Sequence, residues 1–445
     1  LPASGGPWRS AVCRALAAAR GASGGTAGPV HLDVAFRDPL VPELTDREPP
    51  DGRLITDEPL SGRPAGAPWV EVVGPSRAVA LGISFVERTL VVIGDLPSES
   101  VARAAAAWAL GRGHPVVAEP FGPSVVRAGA LPHGPLLLTA SRWVSEHLPE
   151  RVVVIGRPTL SRAVAAVLRA SGVVVEVVAD GQWADPAHVA SRVHPFAALE
   201  ADAVQPEPDS VGPGAGAGVS AQSTSAWAEA WQAAGALVAE AVAAQGLPES
   251  GGLAVAAAVA SAIPEGAVLV VGSSNTVRDL DLGVAGAVAG HVVANRGLAG
   301  IDGLVSTAVG VALTSPSPAY ALLGDLTFLH DSGGLLIGPG EPRPDLSIIV
   351  ANDDGGGIFT TLEPGEPARA DTFERIFGTP TGTDLGALCL AHGVGHTRAD
   401  SLGALSALVA QAPKGLRVIE ISVDRGAHRR AHEELRTLAA SVLED

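Results

Sequence analysis

The sequence predicts an α/β protein with two doubly wound parallel-sheet domains and the remnant of a third. Two stretches alternate short, β-branched apolar runs with Ala-rich helical segments, the pattern of a parallel sheet covered on both faces. A Gly/Pro/Ser-rich segment, PEPDSVGPGAGAGVSAQSTS, separates them. Ahead of both lie one helical and one strand-like segment, which cannot bury their apolar faces alone.

Residues 8–19 carry Trp8, Val12, Leu16 and Ala19 at helical spacing, and residues 29–36, PVHLDVAF, alternate as a strand does. Residues 1–45 are therefore assigned to the end of a domain. The Pro- and acid-rich residues 46–68 read as connecting chain. From Leu90 the runs TLVVIGD, HPVVAE, RVVVIGRP and VVVEVVA, with helices over 98–111 and 160–171, define a middle domain within 46–205. Gly94 and Gly156 each follow a strand, but neither opens a GxGxxG fingerprint, so no dinucleotide site is expected there. Arg157 reads as a solvated loop arginine, with an anionic effector site as the alternative. Residues 206–226 form a linker.

The last domain, 227–445, starts with helices over 227–244 and 253–262 and a strand over 267–271. A loop over 272–278 (GSSNTVR), a strand over 291–294, a loop over 295–303 and a helix from Leu304 follow. A strand over 320–323 leads into the site loops. Helices over 384–392 and 402–410, a strand over 415–422 and a helix over 428–442 close the chain. No fixed-period repeat is present.

With 445 residues, 47% hydrophobic and 17% charged, the chain has the composition of a well-buried globular protein. Its net charge of −17 argues against nucleic acid or anionic membranes as partners. No apolar run reaches the about 18 residues of a membrane span, and LPASGGPWRS lacks the features of a signal peptide. Cys13 and Cys389 sit in apolar helical patterns and form neither a disulfide framework nor a metal set. A cytoplasmic setting follows. The chain has no methionine, even at position 1. That implies a non-standard start or a sequence beginning inside a gene, and both allow a longer protein.

The chemistry concentrates in ALLGDLTFLHDSGGLLIGPGEPRPDLSIIVANDDGGGIF. One strand ends at Gly324-Asp325 and the next at Asn352-Asp353, so two carboxylates can meet at the sheet edge where open α/β sheets bind ligands. A backbone carbonyl at Gly355 completes a hard oxygen set for Mg²⁺, with the remaining positions left to a diphosphate and water. Glycines 355–357 allow close backbone approach, and a helix starting near Thr327 points N–H groups at the same anion. Asp325 as a helix N-cap and 352–357 as an ordinary turn form the competing reading. Asp354 reads as a turn cap and His330 as a satisfied polar residue. Arg278 in SSNTVRDL and Arg296 in ANRGLAG stand at loop tips, where a guanidinium can clamp a carboxylate through two hydrogen bonds. The competing reading for Arg278 is an ion pair with Asp279 or Asp281.

The GDL turn paired with an Asn-rich turn resembles the cofactor motif of thiamine-diphosphate enzymes. More narrowly, GDLTFLHD, NDDGGGIF and ANRGLAGIDGLVSTAVG resemble the 2-succinyl-5-enolpyruvyl-6-hydroxy-3-cyclohexene-1-carboxylate synthases of menaquinone biosynthesis. The resemblance covers essentially the whole chain and implies a thiamine-diphosphate-binding fold. The broad motif often has Asn where this chain has Asp353, a stronger Mg²⁺ ligand.

The resemblance implies cofactors thiamine diphosphate and Mg²⁺ (or Mn²⁺), with Asp325, Asp353 and Gly355 on the metal. Gly324, Leu326, Thr327, Gly356, Ile301 and Ile358 would contact the cofactor, Ile301 as the wedge that keeps it bent. Ser274, Arg278, Arg296 and Phe359 would face the substrates, 2-oxoglutarate and isochorismate. The implied reaction is decarboxylation of 2-oxoglutarate and conjugate addition of the succinyl semialdehyde unit to isochorismate, in a homodimer or homotetramer. The family's catalytic Glu lies in an N-terminal pyrimidine-binding domain. No residue here can be assigned to it, and poor turnover of this chain by itself is expected. Another thiamine-diphosphate 2-keto acid enzyme is one alternative, opposed by the paired arginines and by GDL rather than GDG. A catalytically inactive truncated remnant is the other.

Overall fold

The computed structural model describes residues 6–21, 27–34, 82–180, 189–201, 225–288, 290–295 and 300–444. Its strands are β1 (Thr89–Ile93), β2 (Val116–Ala118), β3 (Gly122–Pro123), β4 (Arg151–Ile155), β5 (Val174–Val178), β6 (Ala190–His194), β7 (Val268–Val271), β8 (His291–Val293), β9 (Ala319–Gly324), β10 (Leu346–Asn352), β11 (Gly395–Ala399) and β12 (Leu416–Ser422). They form a five-stranded sheet of order β2-β1-β4-β5-β6 and a seven-stranded sheet of order β11-β12-β10-β9-β7-β8-β3. Every pairing is parallel except β3 on β8. The two expected parallel sheets are present.

β1, β4, β9 and β10 are apolar over consecutive residues because both sheet faces are covered by helices. Helices start where a side-chain oxygen can take a free N–H: Ser98, Ser161, Ser225, Asp384 and Ser401 each accept from the residue three positions on. The helix Ala226–Gln245 buries Trp231 completely, edge-on to Trp143 at 5.0 Å.

The structure departs from the sequence reading in several places. Residues 27–34 form no strand and are exposed, and they have no ladder partner among the described residues. An alternating pattern alone does not satisfy a strand's N–H and C=O groups. The helix Gly6–Ala19 is present. The linker readings at 46–68 and 206–224 fall outside the described residues. The predicted loop over 272–278 is loop only to Ser274, and Asn275–Gly283 is a helix. The polar edge strand β11 carried no apolar run to reveal it.

The C-terminal edge of the first sheet is closed from within. Asp95 and Arg157 form a backbone bridge and an ion pair at 3.7 Å. Cβ atoms at Gly94 and Gly156 would collide with that bridge, and Gly156 has φ +75°. The buried Glu119 carboxylate accepts the N–H groups of Thr159 and Leu160. An internal carboxylate thus satisfies the amides that follow β4.

Residues between the sheets fasten them together. Arg127 lies 3.7 Å from Asp281, both buried, and donates to the Val284 carbonyl, while the His133 ring contacts the Leu282 carbonyl at 2.8 Å. Burial pushes the Asp281 carboxyl up to about 6, against the opposing pull of Arg127 and Arg278. A carboxyl raised on folding stabilises the native state fully below its unfolded value, and that contribution disappears as pH rises through the folded value. Asp281→Asn should therefore gain stability relative to the unsubstituted chain as pH rises from about 4 to about 6, measured by paired urea titrations across that window.

Candidate functional site

In the seven-stranded sheet the chain runs from β7 outward to β8, then crosses back to place β9 on the other side of β7. This reversal opens a crevice at the C-terminal strand ends, the usual ligand position in open parallel sheets. The register pairs Ala351 of β10 with Gly324 of β9, so Asp325 and Asp353 leave the sheet side by side.

A cavity of about 180 Å³ occupies this edge. Its walls include Ser274, Asn275, Asp279, Ile301, Gly324, Asp325, Leu326, Thr327, Asp353, Gly355, Gly356, Gly357, Ile358, Phe359 and His428. Most of the residues selected from the sequence are thus brought to one place. Arg278 is half-buried and turns back to donate to the Ser274 carbonyl at 2.7 Å, outside the cavity wall. Of the competing partners, Asp279 contacts His432 at 2.7 Å, while Asp281 lies against Arg127 and also feels the charge of Arg278. Arg296 falls outside the described residues.

Asp325 is 2% exposed and is the first residue of the helix Asp325–His330, with Gly324 as the cap. It is therefore not an N-cap. Burial, then the charge of Asp353, then a hydrogen bond between the two carboxyls push it well above the carboxylate range. The N–H groups of Asp325 and Gly355 oppose that shift. Two carboxylates this close in a dry site require a shared proton or a cation between them. Asp325 Oδ2 is buried without a hydrogen-bond partner, as are both amide atoms of Asn275. An unpaired buried oxygen on one member of a carboxylate pair fits a hard divalent cation. Among the described residues no third carboxylate, imidazole or thiolate completes a metal shell. Ligand oxygens and water would have to fill it.

The turn after β10 is fixed on all sides. Asp354 has φ +51°, and its carboxylate accepts the N–H groups of Thr381 and Gly382, tying a distant loop to the turn rather than capping it as expected; Asn352 Oδ1 accepts the Asp354 N–H at 2.9 Å. Arg425 donates to the carbonyls of Asp353 (2.7 Å) and Asp354, and pairs with Glu374. Gly355 has φ +147°, and a Cβ there would strike the Gly378 carbonyl. The Gly355 carbonyl accepts from the Gly357 N–H at 3.0 Å. A Cβ at Gly357 would fall on Asp353 Oδ2. On the apolar side Phe359 is partly exposed, its ring 5.5 Å from Phe377. His330 contacts Asp302 at 2.8 Å on the surface, a satisfied polar residue.

Sequence reasoning missed two groups. Asn275 lay in a motif already singled out, and its burial is what reveals it. His428, 4% exposed, reaches Asp353 Oδ2 at 3.0 Å from the helix Ala427–Glu444. Its only sequence signal was the His428/His432 spacing on one helix face.

Fold and site together define a doubly wound α/β enzyme with a carboxylate pair at the switch point of its larger sheet. The chain is 41% identical to the 2-succinyl-5-enolpyruvyl-6-hydroxy-3-cyclohexene-1-carboxylate synthase of Saccharopolyspora erythraea, over 99% of this chain and 74% of that protein. The synthase of Kineococcus radiotolerans is 42% identical over 98% and 72% of the two chains, and that of Mycobacterium bovis 39% over 96% and 72%. No family model matches the chain. The chain belongs to the 2-succinyl-5-enolpyruvyl-6-hydroxy-3-cyclohexene-1-carboxylate synthase family. Among the described residues, no helix is long and apolar enough to cross a membrane.

Gly357→Ala should force Asp353 from its position and weaken binding of Mg²⁺ with inorganic diphosphate by about 10- to 100-fold, read by calorimetric titration.

Proposed function

We propose that the protein catalyses the decarboxylation of 2-oxoglutarate and the conjugate addition of the resulting succinyl semialdehyde unit to isochorismate. The product is 2-succinyl-5-enolpyruvyl-6-hydroxy-3-cyclohexene-1-carboxylate, in menaquinone biosynthesis, and the reaction depends on thiamine diphosphate and Mg²⁺ or Mn²⁺. The observation that carries this reading is the Asp325–Asp353 pair at adjacent strand ends, with Asp325 Oδ2 buried and unpartnered, in a chain of this family. Thiamine diphosphate, when bound, supplies the carbon nucleophile and holds the electron pair left when CO₂ departs.

The protein's part is to bind, orient and exclude water. Asp325, Asp353 and the Gly355 carbonyl hold the cation that neutralises the diphosphate. Gly324, Leu326, Thr327 and Gly356 line the cofactor's bed. Ile301 and Ile358 give it an apolar wall, and Phe359 closes the substrate side. Ser274, Arg278 and Arg296 serve the substrate carboxylates, since two guanidinium groups suit a diacid and a carboxylate-bearing acceptor. Arg278, by holding the Ser274 carbonyl, also fixes the loop that presents that hydroxyl. Residues 227–445 act as the diphosphate-binding domain, 46–205 as the middle domain, 206–226 as the linker, and 1–45 as the closing part of a pyrimidine-binding domain. A cytoplasmic homodimer or homotetramer accompanies this reading; both cysteines are free thiols.

Protein isolated from its source cells should consume isochorismate only when 2-oxoglutarate, thiamine diphosphate and Mg²⁺ are all present. Mass spectrometry should identify the succinylated product, and Asp325→Asn should cut the rate at least about 100-fold. Release of CO₂ with isochorismate left intact would instead indicate a different 2-keto acid enzyme, and no turnover an inactive remnant.

A further inference from the structure

The helix Ala427–Glu444 packs its first turn against the site, and His428 is the residue that enters it. Its Nε2 lies 3.0 Å from Asp353 Oδ2, and the ring is buried. That oxygen stands where a side chain at residue 357 would be. The helix that presents the imidazole is tied down around it. Arg429 donates to the Thr360 and Leu362 carbonyls at 2.7 and 2.6 Å, and His432 meets Asp279 at 2.7 Å one turn on.

We propose that His428 is a positioning residue that commits one oxygen of Asp353 to the protein, so that Asp353 meets the cation through a single oxygen. The inference rests on the metal–diphosphate reading above. Its motive is the carboxylate itself. An Asn side chain would offer a cation one oxygen, whereas a carboxylate offers two and can chelate through both. Chelation suits Ca²⁺, which takes six to eight oxygens in flexible geometry, and disfavours Mg²⁺, which demands a near-ideal octahedron. With Oδ2 held by His428, only Oδ1 remains to converge with the unpartnered Oδ2 of Asp325. His428 therefore sets metal preference as well as affinity, as outer partners of metal ligands do.

The test is displacement of Mn²⁺ by Mg²⁺ and by Ca²⁺ in the full chain with thiamine diphosphate, followed by electron paramagnetic resonance of free Mn²⁺. His428→Leu should lower Mg²⁺ affinity by about 10- to 100-fold while Ca²⁺ affinity holds or rises, so the Mg²⁺/Ca²⁺ ratio falls. His428→Gln, which keeps a donor, should restore the ratio; a merely structural role would not move it. If His428→Leu does not fold, His428→Asn, polar but too short to span the gap, carries the same expectation. A ratio unchanged in these variants, with Mn²⁺ bound normally by the unsubstituted chain, overturns the positioning role alone. Failure of the unsubstituted chain to bind Mn²⁺ with thiamine diphosphate overturns the metal-site reading and this inference with it.

Discussion

Two negative side chains that leave neighbouring strands at the same level repel each other, and in a site closed to water that repulsion is barely screened. The larger sheet is arranged around this conflict. The β9–β10 register puts Asp325 beside the turn that bears Asp353, and the helices over both sheet faces deprive the pair of solvent. A cation between them would resolve the conflict and tie the two strand ends to the anion it carries. The polar atoms left unsatisfied beside the pair, on Asp325 and Asn275, would be met by the same bound group. They are costly without a ligand and useful with one.

Keeping that conflict in place requires the turn after β10 to be rigid, and its parts share the task. Glycines at 355 and 357 remove side chains that would strike the Gly378 carbonyl and the Asp353 carboxylate. Arg425 gathers two successive carbonyls of the turn, and Asn352 is held by Glu420 at 2.8 Å, which in turn meets His396 of β11 at 2.9 Å. These contacts come from β11, β12 and the loop that leads from β12 into the last helix. The chain from β11 onward thus braces a turn that lies earlier in the sequence.

What was legible in the sequence follows from how local each signal is. β9 and β10 announce themselves as unbroken apolar runs because both their faces are covered, and the acidic and glycine residues that end them mark the site directly. The helix Asn275–Gly283 was hidden by its polar start, SSN, whose residues favour turns until a cavity and a neighbouring strand settle the matter. β11 was hidden because edge strands carry polar residues. Residues 29–36 erred in the opposite direction, with alternation but no ladder over 27–34. His428 and Asp353 are far apart in the chain, and no local pattern in either segment encodes their meeting.

β3 closes one side of the larger sheet. It is two residues long, runs against β8, and its second residue is Pro123, which has no N–H to offer a further strand. Pairing with another β-strand along that margin is therefore blocked, as is the runaway stacking through which exposed sheet margins seed aggregates. A strand that approached along this margin would find no N–H at Pro123 through which to lengthen the sheet.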